Sequence, residues 1–394
     1  MERNAHDAAR RALLRRALAF AGAAAFSGAS GCAAPFSVAG AGTAAAVSDP
    51  HPALGRTLAR IGFGSCAEAS RPQPVWDAIR ERQFDLFVFL GDNIYGDTRD
   101  MSVLKAKYAE LAAQPGFARL RAETPVLAIW DDHDFGEDDA GGDYPRKEES
   151  RRMFLDFWDV PAGSPRRQRD GVYGSCVFGP PGRRVQVILP DLRYNRTPLT
   201  PLDLGGADYE AWAGARLAAG LEVPGPYARN PDHRATMLGE RQWQWLERQL
   251  EVPAELRLIG SSVQVLADFT GWESWAVFAR DRERLFDLIR RKNANGILFL
   301  SGDVHYAELS KQDLNVPYTL WDLTSSGLTE EWKVPTPNAN RASTVVTDAN
   351  FGFIEIAWHE RQTQLTLGIA DATGRTRMSW QLALASLAAG APQT

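Results

Sequence analysis

Phe84-Asp85-Leu86-Phe87-Val88-Phe89-Leu90-Gly91-Asp92-Asn93-Ile94-Tyr95-Gly96-Asp97 joins a very apolar run to an acid-bearing turn. Residues 84–90 read as a buried strand. Gly91 lets the backbone approach a neighbour closely, and Asp92 then presents a carboxylate just past the strand end. Three other stretches repeat this design: Ile61-Gly62-Phe63-Gly64-Ser65-Cys66, Ile129-Trp130-Asp131-Asp132-His133-Asp134 and Leu300-Ser301-Gly302-Asp303-Val304-His305. They follow strands expected over 60–64, 125–130 and 296–301. Four such coincidences set potential metal ligands along one sheet edge, where open α/β sheets bind their ligands.

Outward from these clusters, short apolar runs alternate with amphipathic stretches. Helices are expected over 75–82, 105–111, 117–121, 147–158, 240–250 and 280–292. Further strands are expected over 172–178, 184–189, 256–261, 318–324, 351–358 and 363–370, with Pro180-Pro181-Gly182 as a turn. Residues 196–236 carry many Pro, Gly and Asp and read as a long irregular insertion. The alternation followed by a run of strands predicts an α/β architecture with a partly parallel sheet.

The first residues belong to a different kind of segment. Arg10-Arg11-Ala12-Leu13-Leu14-Arg15-Arg16 precedes an apolar run over 17–26 and then Ala29-Ser30-Gly31-Cys32. A basic start, a short apolar run and small residues make an export signal over 1–34, with a twin-arginine character. The apolar run is about half the roughly 20 residues that span a bilayer. Cys32 resembles a lipoprotein acylation site, which would tether the protein without a transmembrane helix; plain cleavage near Ala34 is the other reading. The expected location is the periplasm or cell envelope. A linker over 35–58, a catalytic domain over 59–380 and a tail over 381–394 complete the plan. Removing residues 1–31, with five Arg and two acidic residues, takes the net charge from −5 to −8. That balance argues against nucleic acid held on a general basic surface. No Gly-x-x-x-x-Gly-Lys-Ser/Thr loop supports a nucleotide-binding module.

The chemistry of the clusters suits phosphate ester hydrolysis. That reaction needs a water made nucleophilic near neutral pH and positive charge on the phosphoryl oxygens, and two metals a few Å apart supply both. Asp92 is the natural bridge between them. Of the six His, only His133 and His305 fall in the clusters. Carboxylates, a phenolate and a thiolate suit trivalent iron with an oxygen-loving calcium or magnesium better than a His-rich zinc pair.

Gly64-Ser65-Cys66, Gly91-Asp92-Asn93-Ile94-Tyr95, Trp130-Asp131-Asp132-His133-Asp134 and Ser301-Gly302-Asp303-Val304-His305 together resemble the PhoD alkaline phosphatase family of the calcineurin-like metallophosphoesterases. The likeness runs from about residue 60 to about residue 369. It implies a metallophosphoesterase-type four-layer α/β/β/α sandwich, two mixed β-sheets flanked by helices. It also implies that Cys66, Asp92, Tyr95 and His305 bind Fe3+, and that Asp92, Asp132 and Asp303 bind a second metal, calcium in the relatives. Here Mg2+, Mn2+ or Zn2+ also stay open for that place. His133 would give a proton to the leaving oxygen, oriented by Asp134, after a metal-activated hydroxide attacks phosphorus. Cys66 stands where the wider superfamily has an Asp-x-His pair, Asp303 where it has a first His, and Ser261-Ser262-Val263-Gln264 where many relatives offer another. All three departures remove nitrogen ligands.

Each of these residues also has a plainer reading. Cys66 and Cys176 could form a disulfide in an oxidising compartment. On spacing alone Tyr95 is an ordinary packed tyrosine, and His133 could cap a turn. Asp303 and His305 would share an orientation on a strand of period two. Asp131 is a further ligand or a structural group. Arg193 in Asp191-Leu192-Arg193 could grip the substrate phosphate as a planar fork or serve in a salt bridge. Trp272 and Trp275 flank Glu273 and could line a pocket mouth, although such clusters more often pack. The acidic run 137–143 is most simply a solvated loop. The expected substrates are small phosphomonoesters or phosphodiesters and the expected state is a monomer. A diesterase acting on phospholipid headgroups and a non-catalytic, surface-tethered phosphate- or metal-binding protein are the rivals.

Overall fold

Short runs of Leu, Ile, Val and Phe make strands whose two faces are both buried. The computed structural model describes residues 48–206, 209–221, 223–359 and 362–391, and the export signal expected over 1–34 lies outside them. In chain order the strands are β1 Arg60–Gly64, β2 Leu86–Leu90, β3 Val126–Ile129, β4 Gly174–Phe178, β5 Val185–Leu189, β6 Thr200–Pro201 and β7 Tyr227–Ala228. Then come β8 Leu256–Ser261, β9 Ile297–Ser301, β10 Ala307–Gln312, β11 Leu320–Ser325, β12 Asn350–Ala357, β13 Gln364–Asp371 and β14 Thr376–Ala383.

They form two six-stranded sheets, ordered β14-β13-β12-β1-β2-β3 and β10-β11-β9-β8-β5-β4. Both are mixed. The neighbours β1, β2 and β3 run parallel in the first, and β5, β8, β9 and β11 run parallel in the second. Antiparallel strands form the β14 side of the first sheet and both edges of the second, while the parallel β3 is the other edge of the first. The central parallel strands β2, β5, β8, β9 and β11 are covered on both faces, as the absence of polar alternation in Leu86–Leu90 requires.

The sheets pack face to face through side chains too close to admit one more carbon. A Cβ on Gly260 of β8 would lie 2.8 Å from Leu90 of β2 and 2.6 Å from Leu189 of β5. On the outer face of the first sheet, Phe89 packs tilted or edge-on against Trp76, Phe117 and Trp158, which the helices Val75–Glu81, Pro115–Glu123 and Lys147–Phe157 bring to it or leave just past their end. The helices Glu240–Gln249 and Ala279–Arg291 cover the second sheet through Trp243, Trp245, Leu246, Leu285 and Ile289. The result is the expected four-layer α/β/β/α sandwich.

Several expectations need correcting. Strands β10 and β14 were not anticipated, because Ala-Glu-Leu-Ser-Lys-Gln and the exposed Thr376–Ala383 lack a long apolar run. Strand β14 crosses the boundary drawn after residue 380, and Leu387 beyond it is fully buried, so the tail over 381–394 begins inside the fold. Part of the linker expected over 35–58 is also packed. Leu58 is buried, and the Asp49 carboxylate receives Arg169 and the Ser175 amide. The insertion at 196–236 contains the helix Tyr209–Ala218 and the β6–β7 pair, rather than being wholly irregular. Among the described residues no helix is long and apolar enough to cross a membrane.

Candidate metal centre

The chain turns sharply at the C-terminal ends of β1, β2, β3 and β9, and those turns meet where the two sheets adjoin. The β1 turn is tied to the segment after β11: Leu328 and Thr329 donate amides to the Ser65 and Cys66 carbonyls. Cys66, Asp92, Asp303 and His305 all have left-handed backbone, with φ of 63°, 48°, 77° and 60°, and Asp97 and Asp139 beside them have 45° and 55°. Each such non-glycine residue costs about 1–3 kcal/mol, and such strain gathers at functional sites. Gly91 at φ 103° begins the second turn, and a Cβ there would stand 2.6 Å from that of Asp131. Only glycine allows that approach.

Donor atoms converge in three overlapping groups, each within 4.8 Å: Cys66, Asp92 and His305; Asp92, Asp132 and His133; and Asp132, Asp138 and Asp139. Asp92 belongs to the first two, as a bridging carboxylate must. Its Oδ2 accepts from the Cys66 thiol at 3.3 Å, while its buried Oδ1 has no hydrogen-bond partner. Asp131 Oδ2 is also buried and unpartnered. Tyr95 closes the first group, its hydroxyl 3.3 Å from His305 Nε2. Asp303 is half-buried and in none of the three groups. The strand ends at Ser301, so Asp303 and His305 lie on a left-handed loop and not on a strand of period two.

The electrostatics describe a site short of positive charge. Burial pushes Cys66, Asp92 and Tyr95 well above their ordinary values, and negative neighbours push each further. Desolvation raises Asp303 too, followed by the charges of Asp131, Glu273 and Asp132. Groups that drive one another toward their protonated forms are those whose ordinary ionisation a bound cation restores. With the orphaned Asp92 Oδ1, this donor set fits cations. Cys66 and Cys176 are both free and buried, and Cys176 sits on the far edge strand β4, so the disulfide alternative does not hold.

His133 faces Asp92 and Asp132, with its ring against Tyr95 at 4.3 Å between centroids. The carboxylate that orients it is Asp97, whose Oδ1 lies 2.6 Å from Nδ1, and not Asp134. Asp134 points another way from the one-turn helix Asp132–Phe135, where it accepts the backbone amides of Asn93 and Asp131. Its contribution is to hold two of the turns together. Burial alone would lower the His133 pKa, but Asp132, Asp92 and Asp97 outweigh it and hold the ring well above its usual range.

Arg193 is fully buried and does not reach outward as a fork for substrate. Its Nε pairs with Asp131 at 2.5 Å, and its Nη1 donates to Glu273 Oε1 at 2.9 Å. Its Nη2 stands 2.7 Å from Glu273 Oε2, in ion-pair range without hydrogen-bond alignment, and 3.4 Å from Asp132. Asp191 fixes the turn that delivers it by accepting the Arg193 and Tyr194 amides. Burial takes Asp131 up to about 6 against the pull of Arg193, whereas His133 and Arg193 hold Asp132 below its usual range despite burial. Ser262 adds a hydroxyl to Asp131 at 2.7 Å, and Gln264 turns away to Glu308. Trp275 is packed inside, its indole N–H donated to Ser261, so of the Trp pair it does not line an opening.

Residues the sequence did not single out complete the centre. Asp138 and Asp139 come from the run expected to be solvated, Glu273 lies between two Trp, and Asp97 closes the Gly91-Asp92-Asn93 cluster. A carboxylate inside or beside a strand-end cluster was the available signal. Tyr227, whose hydroxyl donates to Asp139, had none.

A family model described as PhoD-like phosphatase matches residues 61–364. Alkaline phosphatase D of Bacillus subtilis (strain 168) is 34% identical over 104 residues, 22% of this chain and 16% of that protein. The match therefore spans a small part of that relative's length. A solved structure of PhoD superposes with a TM-score of 0.62 at 16% identity, covering 88% of this chain and 74% of that one. GAP50, described as the anchor in the inner membrane complex of Plasmodium, superposes with a TM-score of 0.50 at 11% identity over 83% and 89% of the two chains. Both structural likenesses concern the fold.

Proposed function

Because the chain belongs to the PhoD-like phosphatase family, a family of phosphoric ester hydrolases, we propose that it hydrolyses small phosphate esters outside the cytoplasm at a two-metal centre. The observation that carries this reading is the convergence of donor-bearing turns from both sheets on the shared, partly unpartnered Asp92. Cys66, Asp92, Tyr95 and His305 would hold Fe3+. Asp92, Asp132 and Asp303 would hold a second cation, Ca2+ by ligand hardness. When bound, the pair supplies positive charge to the phosphoryl oxygens and lowers the pKa of water.

The chain's own residues do the rest. Asp97 accepts the Nδ1 proton of His133, which leaves Nε2 toward the acidic pocket, 3.9 Å from Asp138. A protonated His133 can then give its Nε2 proton to the departing alkoxide. Asp134 keeps the turns in register, and Arg193 keeps Asp131 and Asp132 from driving each other apart. The twin-arginine-like start supports export, and Cys32 supports a lipid tether. A monomer suffices, since every group named comes from one chain.

The test compares rates on a phosphomonoester, a phosphodiester and a phospholipid, before and after chelation, with metal analysis and visible absorption. The expected result is chelator-sensitive hydrolysis and a coloured protein that Tyr95→Phe bleaches. Metal-free protein with full activity would end the two-metal reading. Metal-loaded protein with no hydrolysis would favour the binding-protein rival.

A further inference from the structure

The structure assigns Tyr227 the role of a positioning residue, which holds the Asp139 loop against Asp132 and so ties the 196–236 insertion to the metal centre. This rests on the two-metal reading above. Tyr227 opens β7, which pairs with β6 in the register Pro201↔Tyr227. Its amide donates to Gly271 O at 2.9 Å, and the Gly225 amide donates to Thr270 O at 2.9 Å. These two strands of backbone touch so closely that a Cβ on Gly225 would lie 2.3 Å from Gly271 O. The end of the insertion is thus locked to the loop that carries Glu273, and the Tyr227 ring is placed by backbone.

From there its hydroxyl donates to Asp139 Oδ2. Asp139 in turn donates its amide to Asp132 Oδ2 at 2.7 Å, and its carbonyl accepts from Arg196. Asp139 is left-handed at φ 55°, in a group of three mutually repelling carboxylates with Asp132 and Asp138. A strained residue among like charges keeps its place only when outside contacts over-determine it. Tyr227 and Arg196 are two such contacts, one on the side chain and one on the backbone, and Glu273 meets the same Asp139 side chain. The phenol is thus placed to aim a ligand indirectly, as hydrogen-bond partners behind metal ligands do.

The experiment uses the full chain with Tyr227→Phe, which removes one oxygen and keeps the ring. Tyr209→Phe serves as the control, because its hydroxyl donates to Pro224 O within the same insertion. Calcium affinity is measured in buffered free Ca2+, and melting temperature is measured with chelator and with calcium. Tyr227→Phe should bind calcium roughly ten- to a hundredfold more weakly, with a smaller calcium-induced rise in melting temperature. Its visible absorption should match wild type, since Cys66 and Tyr95 are untouched. Calcium affinity equal to wild type, or an equal loss in Tyr209→Phe, would overturn the assignment. Wild-type protein that binds no calcium in the same titration would instead overturn calcium as the second cation, and with it this assignment, while leaving a two-metal centre holding another divalent ion.

Discussion

Replacing Arg193 by Met tests whether this arginine serves the carboxylates around it or the substrate. Met keeps much of the length and volume but leaves Asp131, Asp132 and Glu273 without the cation that now lies 2.5, 3.4 and 2.7 Å away. Arg193 is fully buried, so water cannot take its place. Removing one member of a buried ion pair costs about 3–5 kcal/mol. An unfolding entropy of about 2.1 cal/mol/K per residue over roughly 340 residues is about 0.7 kcal/mol/K, so the melting temperature should fall by roughly 4–7 °C. Calorimetry in chelator would show that drop. Saturating calcium should recover part of it, because a cation on Asp132 replaces some of the lost charge. A variant that melts within a degree of wild type in chelator, while kcat/KM collapses, would refute the reasoning and return Arg193 to the substrate.

Two further outcomes follow from the same geometry. Asp97→Asn should lower kcat by roughly 10–100-fold at the pH optimum, because the amide no longer fixes the His133 ring. It should also move the alkaline fall of the rate to lower pH, since a carboxylate that held His133 charged is gone; an unchanged pH–rate profile would count against Asp97 as the orienting group. Away from the centre, burial pushes Asp322 up to about 6, against the hydrogen bonds from Ser301 and the Val265 and Leu266 amides. The folded protein therefore binds this proton more tightly than the unfolded chain. Asp322 contributes a loss of stability as pH rises from about 4 to about 6 and a constant deficit above. Asp322→Asn should flatten that part of the stability–pH curve in urea unfolding, and an identical slope in both proteins would sink the assignment.

Much of the centre was legible before any fold was known. Cys66, Asp92, Asp132 and His305 follow apolar runs whose burial is set by composition, so their position at strand ends is a local property of the chain. The parallel order of β1, β2 and β3 then brings such ends to one edge. The partner of His133 was misjudged for a definite reason. Asp134 is its neighbour in sequence, but within the one-turn helix adjacent side chains diverge, and Asp97 reaches the ring from another turn.

The sequence by itself determined the alternation of strands and helices, the four acid-, thiol- or imidazole-bearing turns and the hard character of the ligand set, whereas the two sheets came from the family resemblance. These depend on side-chain type and on periodicity, which are written along the chain. Tertiary structure alone decided that Arg193 is interior, that Asp138 and Asp139 join the centre, and that Tyr227 reaches back to it. Those outcomes depend on where left-handed turns and a long insertion aim single side chains. No repeat in the sequence encodes that direction, because in irregular backbone it is set by distant partners, not by near neighbours.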